Sequence, residues 1–236
     1  QMCIRDSISA LLFRLGNVKK NIGYNREGRG FLLDFSPEIN YHKHYINRYA
    51  FLFNEYIGNK YVYLPELSLR YTGQKTFQFD NSHKTIALYL GGENKEFRKY
   101  PDEYAVQLLR LLNRQGYNLL LIGDENDNIK HTQYAEEARI DHLINLTART
   151  TIEGFINTIA NVDLIITIDS SALHIAAAVK TPFIALMGLS TSPTSTILPK
   201  VPLGRILKIE NNLIREEDYI RNITPDLILK TISELI

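Results

Sequence analysis

The residues best suited to chemistry lie in one stretch, Asp163–Pro182 (DLIITIDSSALHIAAAVKTP). An apolar run ends at Asp169, a small-residue turn of Ser170, Ser171 and Ala172 follows, and a helical pattern through Leu173 and His174 begins. Backbone N–H groups at such a helix start lack intrahelical partners and carry the positive end of the dipole, so they suit a phosphate. Beside an anionic phosphate, the Asp169 carboxylate is better used on sugar hydroxyls. His174, one turn into the helix, can donate a hydrogen bond toward the turn. A plainer reading stands beside this one, in which Asp169 caps the helix and His174 is a satisfied core histidine.

Leu90–Pro101 (LGGENKEFRKYP) also runs from a strand into a glycine-containing loop, and it carries Lys95, Arg98 and Lys99. Cations in that position can neutralise a diphosphate leaving group, the alternative being a solvated basic loop. Gly123–Asp127 (GDEND) is an acidic turn after a strand, where Asp127 either binds ribose hydroxyls or belongs to the charges of a helix start. Ile22–Gly30 and Tyr41–Tyr49 supply Arg26, Arg29, His44 and Arg48, the last two four residues apart on one helix face. Together these four make a basic surface suited to an anionic acceptor; singly, each is an ordinary surface residue. The sequence has no GxxxxGK[ST] and no GxGxxG, so ATPase and ordinary dinucleotide readings lack their fingerprint; GxSxG and HExxH are missing too.

Holding these residues in place requires a regular frame, and the hydrophobic pattern supplies one from Asn81 onward. Strands are predicted over Thr85–Leu90, Asn118–Ile122, His142–Leu146, Asp163–Ile168 and Pro182–Met187. Helices are predicted over Asp102–Gln115, Ile129–Arg139, Ser170–Val179 and Pro225–Ile236, the last capped by Thr224. A further helix runs through Ala160, capped by Thr150 or Thr151, with Glu153 supporting a capping box. Apolar, unpatterned strands alternating with helices mean an α/β fold, a doubly wound parallel sheet covered on both faces. Residues 8–79 are less regular: helices at Ile8–Leu15 and Tyr45–Ile57, the latter closed by Gly58, and short strands at Lys20–Tyr24 and Phe31–Asp34. So few elements make a poor core, and the segment reads as the tail of a truncated N-terminal α/β domain. Lys60–Asn81 is then the connection, giving domains at 1–79 and 80–236, with residues 1–7 set aside as a cloning or read-assembly scar.

The 236 residues are 44% hydrophobic and 22% charged, a globular composition. With 27 lysines and arginines against 26 acidic residues the net charge is +1, which argues against a nucleic-acid partner. The balance is uneven: residues 1–79 hold 11 basic against 6 acidic residues, and residues 80–236 hold 16 against 20. The halves are expected to face different partners. A single cysteine, Cys3, excludes an internal disulfide framework and a cysteine-based zinc site. No stretch reads as a transmembrane segment or as a signal peptide.

Taken together, these motifs resemble the bacterial lipopolysaccharide heptosyltransferases, family nine of the glycosyltransferases, with a two-domain GT-B fold, over nearly all of residues 8–236. The family's Asp-Ser/Thr-Gly-x-x-His and Ala-rich helix is matched from Asp169 to His174 and by Ala176–Ala178. Its Lys-x-Trp-Pro loop is matched by Arg98, Lys99, Tyr100 and Pro101, its Gly-Tyr/Phe-x-Arg-x-x-Arg segment by Gly23, Tyr24, Arg26 and Arg29, and its His-x-x-x-Arg by His44 and Arg48. Ser171 replaces a glycine, Arg98 a lysine and Tyr100 a tryptophan.

The resemblance implies a nucleotide sugar such as ADP-heptose in the C-terminal domain. The Ser170–Leu173 amides and Arg98 would hold its diphosphate, Asp169 the transferred sugar and Asp127 the ribose. Arg26, Arg29, His44 and Arg48 would meet an anionic lipopolysaccharide-core acceptor at the inner-membrane surface of the cytoplasm. It implies inverting transfer with neither metal nor cofactor, on a catalytic aspartate that nothing in Ile8–Gln74 matches, so the chain alone is expected to be inactive. A same-fold glycosyltransferase using another nucleotide sugar, or a non-catalytic nucleotide-binding module, is the alternative.

Overall fold

The computed structural model describes residues 2–26, 28–39, 45–61, 68–80, 82–91, 97–188, 199, 201–209 and 215–236. His44 and Lys95, both singled out above, lie outside the described residues. The chain divides near residue 66 into two compact units.

The second unit is built on a six-stranded, wholly parallel sheet in which β1 (Thr85–Tyr89), β2 (Asn118–Leu121), β3 (Leu143–Asn145), β4 (Leu164–Ile168), β5 (Phe183–Met187) and β6 (Gly204–Lys208) lie in the order 3-2-1-4-5-6. Every residue of β1, β2, β4 and β5 is buried, which is why those strands are uninterrupted apolar runs in the sequence. Helices α3 (Asp102–Arg114), α4 (Asn128–Ala138), α5 (Ile152–Ala160), α6 (Ser171–Val179) and α7 (Pro225–Ile232) connect or follow the strands, as the predicted α/β, doubly wound class requires. In α3 the apolar positions Ala105, Val106, Leu108, Leu109 and Leu112 form the buried stripe that packs it down. Thr224 caps α7 by accepting from the Leu227 amide. Thr151 caps α5 by accepting from Gly154 at 3.1 Å. That register puts Gly154, rather than Glu153, at the third helical position, so the expected capping box does not form.

β6 was not expected. It is an edge strand with exposed Arg205 and Ile206, and it starts at Gly204, where a Cβ would collide with the Phe183 ring of β5. The segment entering the unit is also more than a connection: the Asn157 amide oxygen accepts from the backbone of Thr72 and Gly73, and Thr76 and Thr158 share a 2.6 Å hydroxyl pair.

In the first unit, α1 (Met2–Leu15) and α2 (Tyr45–Tyr56) flank a loop-built region. The strands expected at Lys20–Tyr24 and Phe31–Asp34 are not formed; the backbone makes isolated bridges, Ile22 with Phe35 and Asn25 with Glu38, and Arg29–Leu32 is a 3-10 turn. Side chains take over the backbone's hydrogen bonding there. Asn21 donates through its amide to the Ala10 and Leu32 carbonyls, and the Asn25 side-chain oxygen accepts from Gly30. Gly28, at φ +74°, supplies the left-handed turn that starts the 3-10 segment.

Candidate functional site

In a doubly wound sheet, ligands bind beyond the carboxyl ends of the strands where the order reverses, here between β1 and β4. These strands are in register, Leu88 beside Ile166 and Tyr89 beside Thr167. The chain therefore leaves β1 toward Arg98 and leaves β4 toward Asp169 at the same end of the sheet, bringing together the two stretches that the sequence marked.

The β4 side is a strand–turn–helix. Ser170 is the residue that caps α6: its backbone is extended and its hydroxyl accepts from the Ala172 amide at 3.2 Å. Thr167, buried in β4, pairs its hydroxyl with that of Ser170 at 3.0 Å and so fixes the cap. Thr167 was missed in the sequence; its signal is a lone hydroxyl in an otherwise aliphatic strand (LIITI). Asp169 stands one residue outside the cap and half-buried, so the plainer reading of it as the cap is not met. With Ala172 engaged by Ser170, the amides of Ser171 and Leu173 are what the helix start offers an anion. His174 is half-buried on the first turn of α6.

The β1 side holds the cations. Among the described residues no hydrogen bond or ion pair engages Arg98, whereas Lys99 is bound to Asp102 at 2.8 Å. Asp102 also accepts from Lys130 at 3.1 Å and from the Tyr134 hydroxyl. Burial opposes ionisation of Asp102, but hydrogen bonds from Lys99, Tyr134 and Lys130 outweigh it and hold its pKa at about 2. Lys99 is thus committed to structure, and among the described residues of this loop Arg98 is the cation left for a ligand. Tyr100 is fully buried; its amide donates to Leu90 and its hydroxyl to the Ile223 carbonyl at 2.9 Å.

Of the two readings of Asp127, the structure matches the helix-start one. It has no exposed surface, and its Oδ2 accepts from the Asp124 amide at 2.9 Å in a reciprocal capping box that starts the next helical turn. Gly123 makes room for that carboxylate, which would stand 2.7 Å from a Cβ at that position. The carboxylates of the turn that reach solvent are Asp124 and Glu125. Behind them His131 is buried, its Nδ1 2.7 Å from the Thr147 hydroxyl, and burial lowers its pKa to about 4 against the opposing charges of Asp127 and Asp124.

Within the first unit, Arg26, Arg29 and Arg48 line a cavity of about 290 Å³ whose other walls include Tyr24, Phe13 and Leu52. Arg48, on α2, is 8% exposed. Tyr24 links two of the arginines: its hydroxyl donates to the Arg48 carbonyl at 2.6 Å, and its own carbonyl accepts from Arg29 Nε at 3.1 Å.

A parallel sheet in the 3-2-1-4-5-6 order, with a capped helix start at its reversal, defines a doubly wound α/β protein, a class that takes its ligands at that reversal. Residues 6–217 match glycosyltransferase family 9 (heptosyltransferase), and the chain belongs to that family. It is 31% identical over 158 residues to lipooligosaccharide heptosyltransferase 2 of Haemophilus influenzae, covering 62% of this chain and 45% of that protein. To lipopolysaccharide heptosyltransferase 2 of Escherichia coli K12 it is 24% identical over 172 residues, covering 68% of this chain and 49% of the relative. The chain thus spans about half the length of the curated relatives it matches. Its fold is shared with E. coli ADP-heptose lipopolysaccharide heptosyltransferase II, at a TM-score of 0.75 and 21% identity, over 97% of this chain and 73% of that one. It is shared also with an E. coli heptosyltransferase solved with ADP, at 0.65 and 15% identity, over 88% and 62%. Among the described residues, no helix is long and apolar enough to cross a membrane.

Proposed function

We propose that the chain carries the donor site of a heptosyltransferase acting on the lipopolysaccharide core, with ADP-heptose as donor. The observation that carries this reading is the β1/β4 reversal, flanked by Arg98 on one side and the Asp169–Ser170 helix start on the other. The Ser171 and Leu173 amides and Arg98 hold the diphosphate, Asp169 the transferred sugar, and His174 supports the turn. Direct contact with the ribose falls to Asp124 or Glu125, with Asp127 shaping the turn from inside. The solved E. coli relative with ADP supports adenine as the base.

The three-arginine cavity of the first unit takes an anionic acceptor. Work on such an acceptor places the enzyme in the cytoplasm, in contact with the inner-membrane surface. The reaction is direct displacement at the anomeric carbon with inversion. Charge on the departing diphosphate is met by Arg98 and the helix-start amides, so no metal is needed. The general base that would deprotonate the acceptor hydroxyl has no match in Ile8–Gln74, so the 236-residue chain alone binds donor without transferring sugar.

Calorimetric titration of the chain with ADP, UDP and NAD tests the donor assignment. ADP is expected to bind in preference to the others, and Arg98→Ala to weaken it at least tenfold, the loss of one charge-assisted hydrogen bond. A folded chain that prefers NAD, or binds none of the three, overturns the reading.

A further inference from the structure

Arg98 has to be held at a fixed reach if it is to meet a diphosphate, yet no hydrogen bond or ion pair among the described residues fixes its own side chain. The constraint therefore has to come through the backbone on either side. On the far side it is visible: Lys99 is tied to Asp102, and Tyr100 is planted in the core with its hydroxyl on Ile223. On the near side it is Gly188, the buried residue that directly follows β5. A Cβ on Gly188 would lie 2.7 Å from the Phe97 carbonyl oxygen and 3.1 Å from the Ile220 Cβ. The backbone of Phe97, the residue before Arg98, thus rests on the bare α-carbon of Gly188, with Ile220 closing the seat from the C-terminal 3-10 helix Glu216–Asn222.

We propose that Gly188 is a positioning residue for the donor site: the missing side chain lets the Phe97 carbonyl seat against the end of β5 and thereby sets where Arg98 stands. Its backbone is not in the left-handed region, so alanine is conformationally allowed there and the obstacle is steric alone. The first atom in the way is backbone oxygen rather than the tip of a flexible side chain, so the Arg98 turn must move to admit a methyl group. The C-terminal segment then acts on the donor site from behind, through Ile220 beside Gly188 and through the Ile223 carbonyl under Tyr100.

This inference rests on the donor-site reading above, and the test separates the two. ADP and adenosine are titrated into the 236-residue chain and into Gly188→Ala, Arg98→Ala and the double variant. Gly188→Ala is expected to weaken ADP about as much as Arg98→Ala does, tenfold or more, and to leave adenosine within twofold. The double variant is expected to be no weaker than Arg98→Ala alone, because both changes remove one contact. A merely structural role for Gly188 would give additive losses and would weaken adenosine as well; either result overturns the proposal. Should Gly188→Ala fail to unfold cooperatively, Tyr100→Phe carries the test, since it keeps the ring and frees the turn from Ile223. It is expected to weaken ADP about fivefold, with adenosine unchanged, and unaltered ADP affinity in Tyr100→Phe would overturn the idea. Wild-type chain that binds no ADP overturns the donor-site reading, and this inference with it. ADP binding weakened by Arg98→Ala but not by Gly188→Ala or Tyr100→Phe overturns this inference alone.

Discussion

The second unit places its candidate site residues with a backbone ladder, and the first unit places its own with side chains. In the sheet, Asp169 and the chain leading to Arg98 emerge where they do because β1 and β4 are buried, parallel and in register. Around the arginine cavity, position is set by Asn21 reaching Ala10 and Leu32, by Asn25 reaching Gly30, and by Tyr24 joining Arg29 to Arg48. A ladder distributes its stability over many equivalent bonds, whereas an asparagine that satisfies two carbonyls is a single point of failure.

That contrast can be broken most forcefully at the centre of the sheet. Ile166→Ala empties a fully buried site in β4 and is expected to cost about 3 kcal/mol in denaturant unfolding, as large-to-small core changes do. The proposed nucleotide site should nonetheless survive in the folded fraction, because the strands keep their register.

Acid should distinguish the sheet unit next. The folded pKa of His131 is about 4, below its ordinary 6.5. The unfolded chain therefore binds a proton between pH 6.5 and 4 that the folded chain refuses. The contribution of neutral, buried His131 is complete above pH 6.5 and is lost as the pH falls toward 4, up to about 3 kcal/mol. His131→Asn keeps a partner for Thr147 and should flatten this stretch of the stability–pH curve; an unchanged slope would show that His131 is not its source.

Asn21→Ala sharpens the other side of the comparison. It strips two buried or half-buried carbonyls of their donor, and about 2 kcal/mol of loss is expected. Hydrogen exchange should rise in residues 21–35 and stay unchanged along β1 and β4. The smallest effect expected is a gain. Ala148 holds φ +59° beside the His131–Thr147 pair, a conformation that costs a non-glycine residue about 1 kcal/mol, so Ala148→Gly should raise the melting temperature.

The same contrast explains what could be read from the sequence. Buried parallel strands are contiguous apolar runs, so β1, β2, β4 and β5 were legible to within a residue or two, as were the helices between them. β6 was not, because GRILK carries exposed Arg205 and Ile206 and becomes a strand only through β5 and the space left by Gly204. At the proposed donor site the strand–turn–helix was legible, but Ser170 rather than Asp169 is the cap, its hydroxyl paired with that of Thr167. The burial of Asp127 was hidden for a similar reason, since Gly123 had to vacate the space for its carboxylate. In the first unit, hydrogen bonds between residues 11 and 13 positions apart replaced the short strands that local patterning predicted. No window of local sequence contains them.

The strand order also dictates a timetable. β1 can pair with β2 soon after α3 is made, but its other neighbour arrives far later: the Thr85 amide waits for the Asp163 carboxylate, 78 residues downstream. At a synthesis rate of about 5–20 residues per second, that is roughly 4–16 s during which β1 has one bare edge on a growing chain. The crevice between β1 and β4 is therefore a late product of translation, and β1 spends those seconds as the exposed strand that a chaperone, or a neighbouring nascent chain, would meet first.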